Sequence, residues 1–319
     1  MATPIIIGGK RIGRLRASFL LFKESWRFLA ADKEMLFIPL IATILNIFLF
    51  GILITVAALV SSGMGGDPMF TGDTLSRVDY VFIFAFYVVG AFTLAISQAG
   101  IIHTVYTRAH GGNATLGQSL GAAFSHAGSL FVWSLITSTV GLVLRIVSDR
   151  SELIGKIVAA VTGAAWSIAT FFVVPAMVIS KKSAFGSIPH SLTVFKQTWG
   201  ETLVSNFSLS LFFFIANILA LLSFVGIVIA GVSIESLPLI LLAFVLVIIW
   251  IVLASLVQAA LQGVIKTLLY IYATENTIPS NFNSELLQAM MSRRGIAPGI
   301  VATPAAVVAA PLHTTGVSM

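Results

Sequence analysis

Cysteine is absent from this chain of 319 residues, and charged side chains make up only 9 % of it. Without cysteine the protein can form no disulfide framework, no cysteine-ligated zinc site and no thiolate nucleophile. A soluble domain typically carries about a quarter charged residues and under half apolar ones. The scarcity of charge and the 58 % of apolar residues therefore exclude an ordinary soluble globule. They indicate an integral membrane protein that crosses the bilayer several times.

Six apolar stretches are long enough to cross the hydrocarbon core, which takes about 20 mostly apolar residues in a helix. They cover residues 35–60, 81–105, 130–147, 157–179, 207–230 and 237–261, and we call them the first to sixth spans. The apolar run of the sixth span continues without a helix breaker to Tyr272, which predicts a helix that extends beyond the lipid. The predicted fold is an all-α, polytopic transmembrane bundle of six helices.

Lysine and arginine are distributed unequally between the two sides that alternating spans define. Fourteen of the 18 lie on the side of both termini and four on the other, whereas the 12 acidic residues divide evenly. Because loops rich in lysine and arginine stay in the cytoplasm, the pattern places both termini there, in the cell (inner) membrane. The net charge of +6 thus reflects orientation in the membrane, and no nucleic-acid partner is expected.

Composition divides the chain into four regions. Residues 1–34 are predicted to be a basic cytoplasmic N-terminus with an amphipathic helix, and residues 35–273 the six-helix bundle. Residues 274–294 are predicted to form a cytoplasmic amphipathic segment. Residues 295–319, which carry no Asp, Glu, Lys or Arg, are predicted to be a disordered C-terminal tail.

An internal repeat is visible ahead of the first, third and fifth spans. Phe-Lys-Glu-Ser-Trp at 22–26 matches Phe-Lys-Gln-Thr-Trp at 195–199, and a degenerate copy occupies 119–126. At the exits of the first and last hairpins of spans, Gly-Ile-Ile-His-Thr at 100–104 matches Gly-Val-Ile-Lys-Thr at 263–267. The matches predict three parallel units, each a short amphipathic helix followed by two spans, unlike the inverted repeats of many transporters.

The segments that lead into these hairpins have an amphipathic pattern. Phe19, Phe22 and Trp26 recur at the spacing of one helix face, while Lys23 lies off that face. Such a helix can lie in the membrane interface, with its tryptophan at headgroup depth and its lysine toward anionic lipid. Packing against the cytoplasmic ends of the bundle is the alternative. The candidate interfacial residues are Trp26, Lys23, Trp199 and Lys196.

Several of these motifs carry a family resemblance. They are Phe-Lys-Glu-Ser-Trp at 22–26, Asp-Lys-Glu at 32–34, Phe-Ile-Pro at 37–39, Phe-Phe-Val-Val-Pro at 171–175, Ser191, Trp-Gly-Glu at 199–201 and Tyr-Ile-Tyr-Ala-Thr at 270–274. Over about residues 15–292, the chain resembles a prokaryotic six-span family known only as a domain of unknown function. It is similar, more loosely, to the membrane domain found beside some glycerophosphodiester phosphodiesterases.

The resemblance implies the fold and the topology, but it supplies no reaction and no ligand. The chain departs from the family's pattern after the fourth span, where an acidic residue is common. Ser-Lys-Lys stands at 180–182 instead, which puts an acidic role at that place in doubt.

Polar side chains at membrane depth are costly, and they are the default candidates for function. Gln258, Gln262 and Lys266 are spaced four residues apart and share one helix face. His103 occupies the place in its repeat that Lys266 occupies in the other. The four could ring the cytoplasmic end of a central cleft and hold an anionic headgroup or a substrate carboxylate. Alternatively, the amides hydrogen-bond between helices and Lys266 reaches to the interface.

Proline at position 175 lies deep in the fourth span. Proline inside a helix removes one hydrogen bond and clashes with the preceding turn, so it must kink the helix or free a carbonyl. A freed carbonyl could line a site, whereas most kinks serve packing. Pro175 therefore joins the candidate membrane-embedded polar site.

Catalytic motifs are missing from the sequence. It contains no HExxH, no P-loop and no GxSxG, and no two carboxylates lie within the predicted spans. The five histidines are scattered, so no metal site is proposed, and no cofactor or catalytic residue is expected. A membrane enzyme that acts on lipid headgroups is a distant third hypothesis for the function.

The favoured hypothesis is a non-enzymatic integral membrane protein, a scaffold or accessory subunit that packs against lipids or other membrane protein subunits. The alternative is a transporter or channel for a lipid-like or small amphiphilic molecule. A water-accessible cavity lined by Gln258 and Gln262 would favour transport. A closed bundle with those amides satisfied by neighbouring helices would favour the scaffold.

Overall fold

The computed structural model describes residues 5–7, 10–12, 23, 25–30, 32–63, 77–149 and 154–275, with the backbone alone at 5–7, 10–12, 77 and 199–208. The predicted amphipathic segment at 274–294 lies outside the described residues apart from its first two positions. The predicted tail at 295–319 lies wholly outside them, as do the side chain of Trp199 and the leader residues Phe19 and Phe22.

Helices make up nearly all of the described chain. Residues 25–30 form a leading helix, and Lys33–Leu36 form a 3-10 turn. The longer helices are α1 Phe37–Gly63, α2 Arg77–Ala109, α3 Leu116–Ser125, α4 Ala127–Asp149, α5 Ile154–Ala169, α6 Val173–Val178, α7 Ala184–Ser233 and α8 Leu237–Glu275. Near the N-terminus, two short strands, β1 Ile5–Ile7 and β2 Lys10–Ile12, pair antiparallel.

The predicted class, an all-helical bundle with six spans, is confirmed. Six helical stretches are long and apolar enough to cross a membrane: Lys33–Gly63, Val78–Ala109, Ala127–Asp149, Ile154–Val178, Leu209–Ser233 and Leu237–Glu275. Each contains most of one predicted span. The sixth stretch runs unbroken well beyond the predicted lipid boundary, as its sequence indicated. A bilayer permits this architecture because each helix satisfies its own backbone hydrogen bonds.

The fourth span is not one continuous helix. The chain leaves the helical path between α5 and α6, and the backbone N–H of Phe172 donates to Ser191 Oγ at 2.9 Å. The interruption therefore lies before Pro175 and not at it. Pro175 is the third residue of α6, a position where a helix needs no N–H donor, so it begins a new helix instead of kinking an existing one.

The third leader also differs from the prediction of a separate short helix. Residues 191–199 and the fifth span belong to one 50-residue helix, α7, which contains Pro189. Proline costs a helix one hydrogen bond but does not end it when the rest of the turn is supported by packing. In the second unit, by contrast, α3 ends at Ser125 and is capped by His126 before α4 begins at Ala127. The threefold repeat itself stays a prediction.

The hydrophobic core lies at the end of the bundle that the charge pattern assigns to the cytoplasm. Every residue of α6 is buried, and the buried part of α8 is concentrated between Ala254 and Ile271. A glycine permits the close approach of α2 and α8 here, because a Cβ built on Gly263 would lie 2.5 Å from Cγ2 of Ile101. The opposite halves of α1, α7 and α8 expose large apolar side chains, as helices do where lipid surrounds them.

Candidate functional site

Lys266 is held at the contact of three elements in the core. It is half-buried on α8, and its Nζ donates to Oε1 of Gln98 on α2 at 3.2 Å. The same ammonium lies over the ring of Phe171, 4.8 Å from its centroid. Phe171 belongs to the short non-helical segment between α5 and α6. An amide oxygen and an aromatic face both stabilise a cation, so Lys266 can stay charged without a carboxylate.

The matched exit motifs bring these helices together. Gly263 lies against Ile101, and each motif ends in a buried threonine that donates to the glycine carbonyl four residues earlier. Thr104 Oγ1 lies 3.0 Å from Gly100 O, and Thr267 Oγ1 lies 2.7 Å from Gly263 O. Thr267 thus needs no side-chain partner, whereas Thr104 Oγ1 also lies 2.6 Å from Ser119 Oγ on α3. Both hydroxyls are satisfied close to the backbone, which leaves the helix faces smooth enough for close packing.

A second polar group lies one helical turn after Lys266. The side chain of Tyr270 is fully buried, and its hydroxyl hydrogen-bonds Ser180 Oγ at 2.6 Å and His190 Nε2 at 3.0 Å. This group, which we call the Tyr270 network, ties α8 to the loop after α6 and to the start of α7. Ser180 is the first residue of the Ser-Lys-Lys segment at 180–182. A serine hydroxyl that hydrogen-bonds Tyr270 therefore stands where an acidic residue was expected from the family resemblance.

Histidine 190 has an altered proton affinity in this network. Burial lowers its pKa below the ordinary value of 6.5, and the charge of Lys182 lowers it further. At neutral pH, His190 is therefore a neutral ring that both donates and accepts hydrogen bonds. The Tyr270 network was missed by the sequence interpretation because tyrosines near membrane boundaries usually serve as interfacial anchors.

None of the remaining membrane-embedded candidates forms a hydrogen bond with Lys266 within the described residues. Gln258 and Gln262 are half-buried, and neither side chain hydrogen-bonds another of the described residues. His103 is half-buried and interacts electrostatically with His126 at the end of α3. It lies five positions after Gln98, about 140° around the helix at 3.6 residues per turn. Among the described residues, Lys266 thus hydrogen-bonds Gln98 and none of the other three residues of the predicted ring, which stays a prediction.

The leading helix is packed on one side and exposed on the other. Phe28 and Leu29 are buried in the core, whereas Lys23 and Trp26 are exposed. Lys196 is likewise exposed on α7. The buried face of the leading helix therefore packs against the bundle, as the alternative in the sequence analysis predicted. Contact of its exposed face with lipid stays a prediction.

An ion pair holds Asp32, which follows the leading helix, against the end of α2. Nε of Arg108, at the end of α2, lies 2.6 Å from Oδ2 of Asp32, and Nη2 of Arg108 donates to Asn113 Oδ1 at 2.9 Å. Asp32 is almost completely buried, whereas Arg108 keeps a quarter of its side chain exposed. The pair borders a polar pocket of about 430 Å³ that Lys33 and Glu34 also line.

A polar cleft lies between α1, α2 and α8, within the membrane-spanning part of the bundle. Its volume is about 270 Å³. The polar side chains that line it are Thr43, Asn46, Thr93, Ser97 and Ser255. Gln258 and Gln262 do not line it, although their helix forms one wall. This cleft is therefore not the cavity lined by Gln258 and Gln262 that would favour transport, and transport stays a prediction.

Metal coordination has no support within the part of the chain that the structure describes. No group of three or more His, Asp or Glu side chains lies close enough there to hold a metal ion. The chemistry of the site is thus that of hydrogen bonds, one lysine cation and aromatic faces.

Comparison with known proteins places the chain in one family. A family model described as "Family of unknown function (DUF6159)" matches residues 77–279, which includes α2 to α8. Neither the curated proteins nor the solved structures gave a match. The resemblance to an uncharacterised family is therefore supported, while the looser similarity to the membrane domain of glycerophosphodiester phosphodiesterases stays a prediction.

Proposed function

The chain belongs to this family of unknown function, and we propose that it is a non-enzymatic membrane protein that serves as a scaffold or accessory subunit. Its role is to pack laterally against other membrane protein subunits and lipids. The proposal includes the cell (inner) membrane with both termini in the cytoplasm. It includes no catalytic residue, because the sequence lacks the nucleophile, acid and metal motifs that catalysis in a membrane requires.

The observation that carries the proposal is the exposure of the α7–α8 hairpin. In the most apolar stretches, only 6 % of α7 and 11 % of α8 is buried, against 28 % of α2, while α1, the other exposed helix, is 11 % buried. Within the described residues, the outer half of this hairpin is joined mainly by contacts between its own two helices, such as Phe224 against Phe244. The indole N–H of Trp250 also donates to Asn217 Oδ1 at 3.1 Å.

A hairpin with so little burial offers a broad apolar surface inside the membrane. Helices associate in lipid through close packing and interhelical hydrogen bonds, and the hairpin has a groove suited to it. The groove lies between α7 and α8, has a volume of about 500 Å³ and is lined by small residues such as Ala216, Ala220 and Ala243 beside larger apolar ones. A groove of this shape favours insertion of a neighbouring helix or acyl chain.

The scaffold proposal is tested by photo-crosslinking in the native membrane. A photoreactive residue replaces Leu222 on α7 or Ile248 on α8, and the matched control replaces Ile47 on α1, which is similarly exposed. We expect an adduct of defined protein mass from both hairpin positions and lipid adducts from the control. Lipid adducts alone from all three positions would overturn the scaffold proposal.

Orientation is tested by labelling single cysteines, which this chain permits because it has none of its own. Ser183 precedes α7 and Ser233 ends it. In intact cells, a membrane-impermeant thiol reagent should modify Ser233→Cys and spare Ser183→Cys. The reverse pattern would contradict cytoplasmic termini.

A second function, transport of a lipid-like or small amphiphilic molecule, is favoured by Lys266. A half-buried ammonium whose contacts are an amide and a ring retains hydrogen-bond donors for an anionic headgroup. Gln258 lies two turns earlier on the same helix. Gln258→Leu should leave a scaffold folded and partner-bound, whereas in a transporter it should reduce flux in a liposome assay. Unchanged flux in this variant would count against a path along α8.

A further inference from the structure

The polar cleft between α1, α2 and α8 is unusual for its depth. Asn46 is nine residues into α1, about 14 Å from its start at about 1.5 Å per residue. The hydrocarbon core is about 30 Å thick, so the cleft lies well inside it. Three helices place side chains of similar chemistry at this one level, which hydrophobic packing alone would not require.

The hydrogen bonds of the cleft leave a definite set of groups unused. Asn46 Nδ2 donates to Thr93 Oγ1 at 2.6 Å, and Thr93 donates in turn to backbone carbonyls of α2. Thr43 and Ser255 donate to carbonyls of their own helices at 2.7 and 2.8 Å. Their hydroxyl oxygens therefore face the cleft as acceptors, together with Oδ1 of Asn46.

Serine 97 supplies a donor. Only 5 % of its surface is exposed, it lines the cleft, and it forms no hydrogen bond with any of the described residues. Its hydroxyl is open to the cleft, so a ligand that accepts its proton supplies the partner that the protein does not. The second N–H of Asn46 is a further donor at the same level.

Charge is missing from the walls of the cleft. The apolar residues that complete its lining are Pro39, Ala42, Gly90, Leu94, Leu256 and Ala259, so the lining includes no ionisable side chain. An anionic headgroup would lose its hydration here without gaining a counter-charge. The lining therefore selects for a neutral polar group that both donates and accepts hydrogen bonds.

Size and access limit the ligand further. The cleft holds about 270 Å³, which is room for a headgroup but not for long chains. Leu94 is 56 % exposed at its border, so the opening faces the lipid around the bundle. Chains attached to a bound headgroup would remain in the bilayer beside this leucine.

We propose that the cleft between α1, α2 and α8 binds the headgroup of a neutral amphiphile that carries a hydroxyl beside an ester or amide carbonyl. The ligand hydroxyl donates to Asn46 Oδ1 or a cleft hydroxyl, and its carbonyl accepts from Ser97. This site goes beyond both proposed functions, because a scaffold could retain such a lipid and a transporter could release it. It is also distinct from the Lys266 site, where an anion would be favoured.

The experiment uses the full chain in nanodiscs with a photoactivatable diacylglycerol as the probe. We expect labelling of α1, α2 and α8 near Asn46 and Ser97. Ser97→Ala should reduce it at least fivefold, and Ser97→Thr should retain it because threonine keeps the hydroxyl. The matched control is Ser233→Ala, since Ser233 is an exposed hydroxyl at the end of α7, away from the cleft. Thermal unfolding of each variant shows that it is folded.

Competition separates the classes of ligand. Unlabelled diacylglycerol should displace the probe, whereas phosphatidic acid, which has the same chains and a charged phosphate, should displace it at least tenfold less well. Equal displacement by phosphatidic acid would overturn the proposed selectivity. Labelling that maps elsewhere, or that is equal in Ser97→Ala and the wild type, would overturn the site itself without bearing on the crosslinking test of the hairpin.

Discussion

Replacing Lys266 with methionine separates a structural lysine from a functional one. Methionine has a similar length and removes the charge. It forfeits a cation–π contact worth about 2 kcal/mol when desolvated and a charge-assisted hydrogen bond worth about 1.5–3 kcal/mol. It also removes the desolvation penalty of a half-buried ammonium, which is several kcal/mol. These contributions nearly cancel, so the loss of the ammonium itself should change the free energy of unfolding by less than about 1 kcal/mol.

Lys266→Met also removes the hydrogen-bond donor of the Gln98 amide oxygen. An unpaired buried acceptor costs about 1–3 kcal/mol, so the double variant Lys266→Met/Gln98→Leu is the cleaner comparison. It should be at least as stable as the wild type. The same substitution at Lys156, which is exposed on α5, controls for the loss of one positive charge from the membrane protein.

Chemical unfolding in detergent micelles gives the free energies, and quantification of co-purified anionic lipid gives the function. We expect Lys266→Met/Gln98→Leu to lose anionic lipid while its stability is retained, and Lys156→Met to keep both. If the double variant were less stable than the wild type by more than about 2 kcal/mol, Lys266 would be a structural residue, and the reasoning from desolvation would be refuted.

Three further changes test the packing of the core. Gly263→Ala should destabilise the bundle by about 1–2 kcal/mol through overpacking on Ile101, and in an Ile101→Ala background the same change should be neutral, as unfolding of the single and double variants measures. Asp32→Asn should cost about 2–3 kcal/mol by leaving Arg108 without its counter-charge; recovery in the double variant Asp32→Asn/Arg108→Met checks this, and equal losses would contradict it. Because the pKa of His190 is lowered in the folded state, the unfolded chain binds more protons, so stability is highest above pH 6.5 and falls as the pH drops through the folded pKa. His190→Asn should flatten that dependence between pH 7.5 and 5.5, and an unchanged slope would show that other groups cause it.

The spans were predictable from the sequence because a bilayer imposes one strong requirement on every crossing segment. Apolar length alone defined six crossings, and each is present in the structure. The interruption before α6 could not be read in the same way. It depends on Ser191, 19 residues away from Phe172, which accepts the backbone N–H that the break releases. Hydropathy is averaged over a window and does not register such a bond.

The candidate site was predictable only in part. Lys266 was identified because a cation at membrane depth is costly wherever it lies. Its partner Gln98 is 168 positions away, and their meeting depends on the rotation of α2 about its axis. The sequence does not specify that rotation, since α2 is apolar on most faces. For the same reason His103, at the matching place of the repeat, was expected beside Lys266 and lies on another face.

The divided fourth crossing has a consequence for assembly. α5 has 16 residues, about 24 Å of helix, which falls short of a bilayer core of about 30 Å. Its completion, α6, is enclosed by protein: Val173 and Met177 pack among the earlier helices α2, α3 and α4, whereas Ala176 belongs to the cluster that includes residues of α7 and α8. The side of this crossing that faces the last hairpin should thus stay unpacked in the nascent chain until that hairpin arrives. A chain that stops before Leu237 should leave Ser183 accessible from either face of the membrane, whereas the full-length chain fixes it on one.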